Sequence, residues 1–174
     1  MMKHFTLNNL FLDELKDMYS AENQIVESLP KLIKLASFPE LKEALTHHLT
    51  ETKNQVKRIE KIFSLLDLPV KEKNCEAMEG ILKEAEDLLK NKTKSAILDA
   101  AIISAAQKVE HYEIASYGTL RSFAKYLELD DEILDLIQET LDEEGMADNK
   151  LTKIAEGTLF SSGVNQEAAV QSES

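Results

Sequence analysis

Apolar residues return every three or four positions through almost the whole chain, the spacing of helices with one buried face. Over about residues 6–36, Leu7, Phe11, Met18, Ile25, Leu29 and Leu32 fall on one stripe and predict a first long helix. Pro30 lies inside it and removes a backbone donor, so a kink is expected near residues 26–30. Ser37 followed three residues later by Glu40, with Pro39 between, reads as a capping box opening a second helix over about 38–66. Leu41, Leu45, Ile59, Ile62 and Leu66 share its apolar face. Asn74 is the expected cap of a short helix over about 75–91. After the polar stretch 90–94, a fourth segment over about 95–126 carries Leu98, Ile102, Ala105, Val109, Tyr112, Ser116 and Leu120. A last helix spans about 131–156, with acids in its first turn as the helix dipole favours, and stops near Gly157. Residues 161–174 show no periodicity and read as a disordered polar tail behind a bundle over 1–160.

The long helices pair through short loops, one with two and three with four. Between the pairs, a connector over about 67–94 contains the short helix and can run the length of a bundle. That is the topology of the ferritin-like four-helix bundle with one long crossover. Five glycines, three prolines and no tryptophan agree with an all-α chain rather than a turn-rich β fold.

Acids interrupt the buried stripe of every long helix. Glu22 takes an apolar slot in the first, and Glu144 with Asp148 takes two in the last. In the second helix the stripe runs Leu41, Leu45, His48, Glu51 or Thr52, Gln55, Ile59. In the third long helix Glu110 and Glu113 share a face with Ala106 and Tyr117. Each interruption falls near mid-helix, so all can meet at one height. A single mid-helix Glu is ordinarily solvated. Four helices each placing acid on an apolar stripe call for something positive inside, because clustered buried carboxylates are otherwise unfavourable. A pair of divalent ions meets that need, and oxygen with imidazole donors suits iron or manganese. Glu22, Glu51, Glu110, Glu113 and Glu144 are the candidate carboxylates. Acids hydrogen-bonded to Tyr19, Tyr112 or Tyr117 are the structural alternative. His111 lies a third of a turn from Glu110 and should face away. Gly118 is expected to admit a neighbouring helix closely, and Gly145 has no assigned reason.

Charge and cysteine content narrow the function. Twenty Lys and Arg against 32 Asp and Glu leave a net charge of −12, which disfavours nucleic acid and anionic membranes as partners. With 43% hydrophobic residues the chain can still build a core. Its one cysteine, Cys75, excludes an internal disulfide and a Cys-rich zinc site. The N-terminus lacks a signal-peptide pattern, and no window approaches the length of a membrane span, so a cytoplasmic protein is expected.

The segments 13–25 (DELKDMYSAENQI), 75–82 (CEAMEGIL) and 109–120 (VEHYEIASYGTL), with LDEE at 141–144 and LTKIA at 151–155, resemble the YciF/YciE family of ferritin-like proteins, DUF892. The resemblance covers about residues 5–157. It implies a ferritin-like bundle, a homodimer and a link to bacterial stress responses. The architecture also resembles the rubrerythrin di-iron domain, whose Glu-x-x-Glu matches Glu110 and Glu113. The companion Glu-x-x-His is absent: Asn54 follows Glu51 and Ala147 follows Glu144 by three. His48 and Asp148 are the substitute ligands. The expectation is a stress protein with a dinuclear iron site, manganese being the alternative ion, reacting with peroxide or oxygen. The rival is a non-enzymatic, dimeric structural protein with a vestigial site.

Overall fold

The computed structural model describes residues 5–158 and 161–171. Four long helices, α1 (Leu7–Leu35), α2 (Pro39–Leu65), α4 (Ala96–Tyr126) and α5 (Asp131–Glu156), carry the core. The shorter α3 (Glu76–Leu89) lies in the crossover. Two residues each of β1 (Gly157–Thr158) and β2 (Ser161–Ser162) pair antiparallel and lead into α6 (Val164–Gln171). Around the bundle the order is α1, α2, α5, α4, closing back on α1, with α3 against α4 and α1 and α6 against α4 and α5.

One backbone bond and one ion pair fix the direction of the crossover. Lys73 N–H bonds the Lys16 carbonyl in the first third of α1, while Lys31 near its end pairs with Glu86. The connector therefore climbs alongside α1. It delivers the chain to Ser95, whose hydroxyl caps α4 by accepting from Leu98 N–H. This is the ferritin-like topology. Above and below mid-height the interior is apolar: Ile25, Leu29, Leu41, Leu45, Ile102 and Leu151 at one end, Phe11, Leu15, Ile59, Ile62, Phe63, Leu120 and Ile137 at the other.

Four local expectations change. Ser37 does not cap α2. Phe38 occupies the cap position without a side-chain bond, and buried Asp99 of α4 accepts from Ser37 N–H at 2.8 Å, Phe38 N–H at 3.0 Å and the Ser37 hydroxyl. A carboxylate with two oxygens serves both N–H groups of the segment leading into the helix and a hydroxyl besides, which one hydroxyl cannot. Cys75, not Asn74, caps α3: its sulfur accepts from Met78 N–H, while Asn74 donates to Glu79. A Cβ on Gly118 would meet nothing within 4 Å, so no helix presses there. Within the expected tail, residues 164–171 form α6. Val164 is buried, and Gln171 accepts from Ala96 N–H, giving α4 a donor's partner from the far end of the sequence. With eight residues and only Val164 buried, α6 has no apolar stripe for periodicity to reveal. Gly157, at φ +79°, and Gly163 pass backbone against backbone in the reversal before α6, where a Cβ on either would collide. Residues 1–4, 159–160 and 172–174 of the expected bundle and tail lie outside the described residues. Pro30 sits within an α1 that runs unbroken from Leu7 to Leu35.

Candidate metal centre

Mid-height of the bundle is where the apolar core stops. Glu22 of α1, His48, Thr52 and Gln55 of α2, Glu110, Glu113 and Tyr117 of α4, and Thr140 and Glu144 of α5 are all buried there. Spacing explains the register. Glu22, Glu113 and Glu144 occupy steps of three or four in stripes that are otherwise Met18–Ile25, Val109–Leu120 and Ile137–Leu151. His48, Glu110, Glu113 and Glu144 can each offer one ligand atom such that all four atoms lie within 4.8 Å of one another. The His48 Nε2 to Glu110 Oε1 separation is 3.4 Å. Glu22 adjoins this quartet at Glu113, and its Oε1 accepts from the Tyr117 hydroxyl. Gln55 donates to Glu144 Oε1 and, at 3.0 Å, to Glu143.

The electrostatics are those of an anion cage. Burial raises the carboxyls of Glu22, Glu110 and Glu113 well above the usual range, and the negative field of Glu144 adds to it for Glu22 and Glu113. Contact with Glu144 pushes Glu110 the same way. Burial, then the Glu22 charge, also raises the Tyr117 phenol, keeping it a donor. Arg58 is committed elsewhere, to Glu143 and Glu139. Both oxygens of Glu113, one oxygen each of Glu22, Glu110 and Glu144, and both nitrogens of His48 are buried without a hydrogen-bond partner. Such atoms are rare in folded proteins and costly. Among carboxylates, contact becomes a hydrogen bond only where one oxygen carries a proton. Divalent cations would serve all these atoms at once. The donor set of carboxylate oxygens and one imidazole fits iron or manganese.

The seven sequence candidates separate into three groups. His48, Glu110, Glu113 and Glu144 meet, and Glu22 joins them through Glu113 and Tyr117. Glu51 turns outward: it is part-exposed, and its Oε2 lies 2.9 Å from His47 Nδ1. Asp148 faces the α4–α5 groove, where Gln107 donates to it at 3.0 Å and the exposed His111 lies 3.4 Å away. These two positions fall toward the surface because the inward slots of the same turns go to His48 and Thr52 in α2 and to Glu144 and Leu151 in α5. Of the tyrosines, Tyr117 alone reaches the cluster. Tyr19 bonds Glu60, and Tyr112 lies between Cys75 and Asp17. Gln55 is a contributor that acidity does not mark; its signal in the sequence is a polar residue on the apolar stripe one full heptad after His48.

Fold and site together define a ferritin-like helical bundle whose core holds a carboxylate–imidazole cluster suited to a metal. More narrowly, the chain belongs to the family described as a domain of unknown function, DUF892, whose model matches residues 6–169. Protein YciF of Escherichia coli K12 is 44% identical over 151 residues, covering 86% of this chain and 90% of that protein. The crystal structure of the E. coli stress protein YciF superposes with a TM-score of 0.81 at 43% identity, over 85% of this chain and 93% of that one. YcfI of Rhodopseudomonas palustris, to which a structural role has been ascribed, superposes at 0.84 with 41% identity, over 88% and 98%. Among the described residues no helix is long and apolar enough to cross a membrane.

Proposed function

We propose that this protein is a cytoplasmic stress protein with a carboxylate-rich dinuclear metal centre, built from Glu22, His48, Glu110, Glu113 and Glu144. Iron is the preferred ion and manganese the alternative. The observation that carries the reading is the set of buried, unpartnered donor atoms converging at mid-height, above all both oxygens of Glu113 and both nitrogens of His48. Charge supports two ions rather than one. Four ionised glutamates bring −4, and two divalent cations return it to zero; among the described residues no lysine or arginine bonds to the four. The stress association is that of the E. coli relative.

Bound iron would supply the redox chemistry toward peroxide or oxygen. The chain's own part is preorganisation. Tyr117 fixes one oxygen of Glu22, and Gln55 fixes one oxygen of Glu144. Each leaves the other oxygen for a ligand, and the apolar layers above and below keep bulk water out. The Tyr117 phenol also holds a proton beside the cluster.

Elemental analysis of protein loaded anaerobically with Fe(II) tests the reading: about two ions per chain are expected, lost in Glu22→Ala/Glu144→Ala. No bound metal in the wild type would overturn it. Peroxide consumption above that of free iron tests the activity separately. The second reading, a non-enzymatic dimeric bundle, is favoured by the missing Glu-x-x-His pair, since Asn54 and Ala147 stand where histidines would. Light scattering that gave a homodimer with no metal dependence would support it.

A further inference from the structure

The centre is sealed on most sides and open on one. Along the lower half of the α2–α5 seam, Arg58 binds Glu139, Glu143 and Thr140 together. The α4–α5 seam is stitched by Gln107, which donates to both Asp148 and Thr152. On the α1–α2 side Tyr19 stacks edge-on against Phe63 and bonds Glu60. Among the described residues the upper α2–α5 seam carries no such bridge. There a cavity of about 160 Å³ descends from the surface between Ala44 and Leu45 of α2 and Ala147 and Leu151 of α5, and it ends on His48 and Glu110. Its small alanine walls keep the helices' side chains from closing it. Its floor is two nine-tenths-buried groups with unpartnered ligand atoms, His48 Nδ1 and Nε2 and Glu110 Oε2. Its mouth carries His47, Glu51, Met146 and Lys150.

We propose that this cleft is the port through which a divalent cation reaches the cluster, with Glu51 and His47 as transient ligands at its mouth. The proposal rests on the metal-centre reading above and extends it to Glu51, the candidate that the structure leaves outside the resident set. Three features support this role. Glu51 is part-exposed and, among the described residues, paired only with an exposed imidazole 2.9 Å away. It lies one helical turn after His48, so a cation held at the mouth can be passed along one face of α2 to a buried nitrogen. A carboxylate at the neck of a low-dielectric cleft also concentrates cations there. Lys150 at the same mouth opposes this attraction, so its removal should act in the other direction from removal of Glu51.

The test is the kinetics of Co(II) uptake by the full-length metal-free protein, followed by stopped-flow absorbance, with the final stoichiometry and ligand-field spectrum as independent readouts. Glu51→Gln and His47→Ala should reach the wild-type stoichiometry and spectrum at a rate lower by roughly tenfold, within the range that local charge commands. Lys150→Gln should load faster, and Ala147→Leu, which narrows the wall, should load more slowly with its end point unchanged. Wild-type rates in both Glu51→Gln and Ala147→Leu would overturn the port. A lower stoichiometry in Glu51→Gln would also overturn it, by making Glu51 a resident ligand. Failure of the wild type to bind Co(II) at all would instead overturn the metal-centre reading on which the port depends. Circular dichroism identifies any variant that does not fold; Glu51→Gln, a part-exposed isosteric change, then decides the outcome.

Discussion

Replacing Glu113 by glutamine should move stability in opposite directions in the metal-free and metal-loaded proteins. Glu113 is fully buried, neither of its oxygens has a donor, and burial together with the Glu144 and Glu22 charges raises its carboxyl well above the usual range. The folded metal-free chain therefore keeps a proton that the unfolded chain releases above the ordinary glutamate value. Stability contributed by that proton is fully present below the unfolded value and is lost as pH rises through the folded one. Within that window each such group removes about 1.4 kcal/mol of stability per pH unit. Glu113→Gln cannot ionise, so the metal-free variant should gain on the wild type by about that amount per unit as pH rises from 5. In a chain of this size that is a relative rise in Tm of roughly 3–5 °C per unit. With metal bound the sign reverses, because the wild type gains ligation that the amide supplies poorly, and the variant should melt lower. The assay is thermal unfolding by circular dichroism at pH 5, 6, 7 and 8, with chelator and with excess Mn(II). A metal-free difference between variant and wild type that stays constant from pH 5 to pH 8 would refute the buried neutral acid. A variant equally weakened with and without metal would show Glu113 to be only a packing residue.

Three further outcomes follow from single contacts. Asp99→Ala leaves two backbone N–H groups at the start of α2 and the Ser37 hydroxyl without an acceptor, and should cost about 3 kcal/mol, or roughly 6–12 °C in Tm; a loss under 1 kcal/mol in urea titration would show that water replaces the carboxylate. Arg58→Ala releases Glu139, Glu143 and Thr140 from the α2–α5 seam, and should cost about 1–2 kcal/mol in chemical denaturation, with a smaller difference at high salt because part of the network is exposed. Cys75 is fully buried, its thiol is pushed up by burial and the Asp17 contact, and its sulfur is 3.0 Å from the Tyr112 hydroxyl, so the native protein should be nearly inert to a thiol reagent that modifies it at once in denaturant. Rapid native modification would place the thiol at an opening that the packing does not show.

Long-range order was the more legible part of this protein. Stripes such as Phe11–Met18–Ile25–Leu29 and Leu98–Ile102–Val109–Leu120 exist only because one face of each helix is buried, and the break at 67–94 is long enough for one crossover alone. Glu22 and Glu144 were legible for the same reason, since an acid in an apolar stripe conflicts with its neighbours. Cap identity was not legible, because the partner of Ser37 is Asp99, distant in sequence, and its stronger acceptor wins over the local capping box. Nor could helical spacing separate His48 from Glu51 or Glu144 from Asp148. Positions three or four apart differ by only tens of degrees around the axis, and which one faces the centre depends on where the neighbouring helix lies. Gln55 was hidden by its chemistry: an amide has no charge to mark it as out of place, yet it reaches Glu144 from the facing helix.

The divided fates of His48 and Glu51 give the centre an inside and an outside. On the cleft side it presents an imidazole without a bond to either nitrogen; on the far side it presents Glu22 tied down by Tyr117. Ligands that are hydrogen-bonded are held for one geometry, whereas an unbonded imidazole at the end of a cavity is free to accept what arrives. Position sets depth on α2: slot 48 is buried and slot 51 is part-exposed, whichever residue fills it. With histidine first and glutamate three residues after it, α2 keeps an imidazole in the core and a carboxylate at the rim, where Glu51 already pairs with His47. Exchanging the order, in a His48→Glu/Glu51→His double variant, should therefore leave overall helicity intact. It should shift the Co(II) ligand-field spectrum by removing the buried nitrogen. An unchanged spectrum would mean that His48 never ligates, and the cluster would have to be read as carboxylates alone.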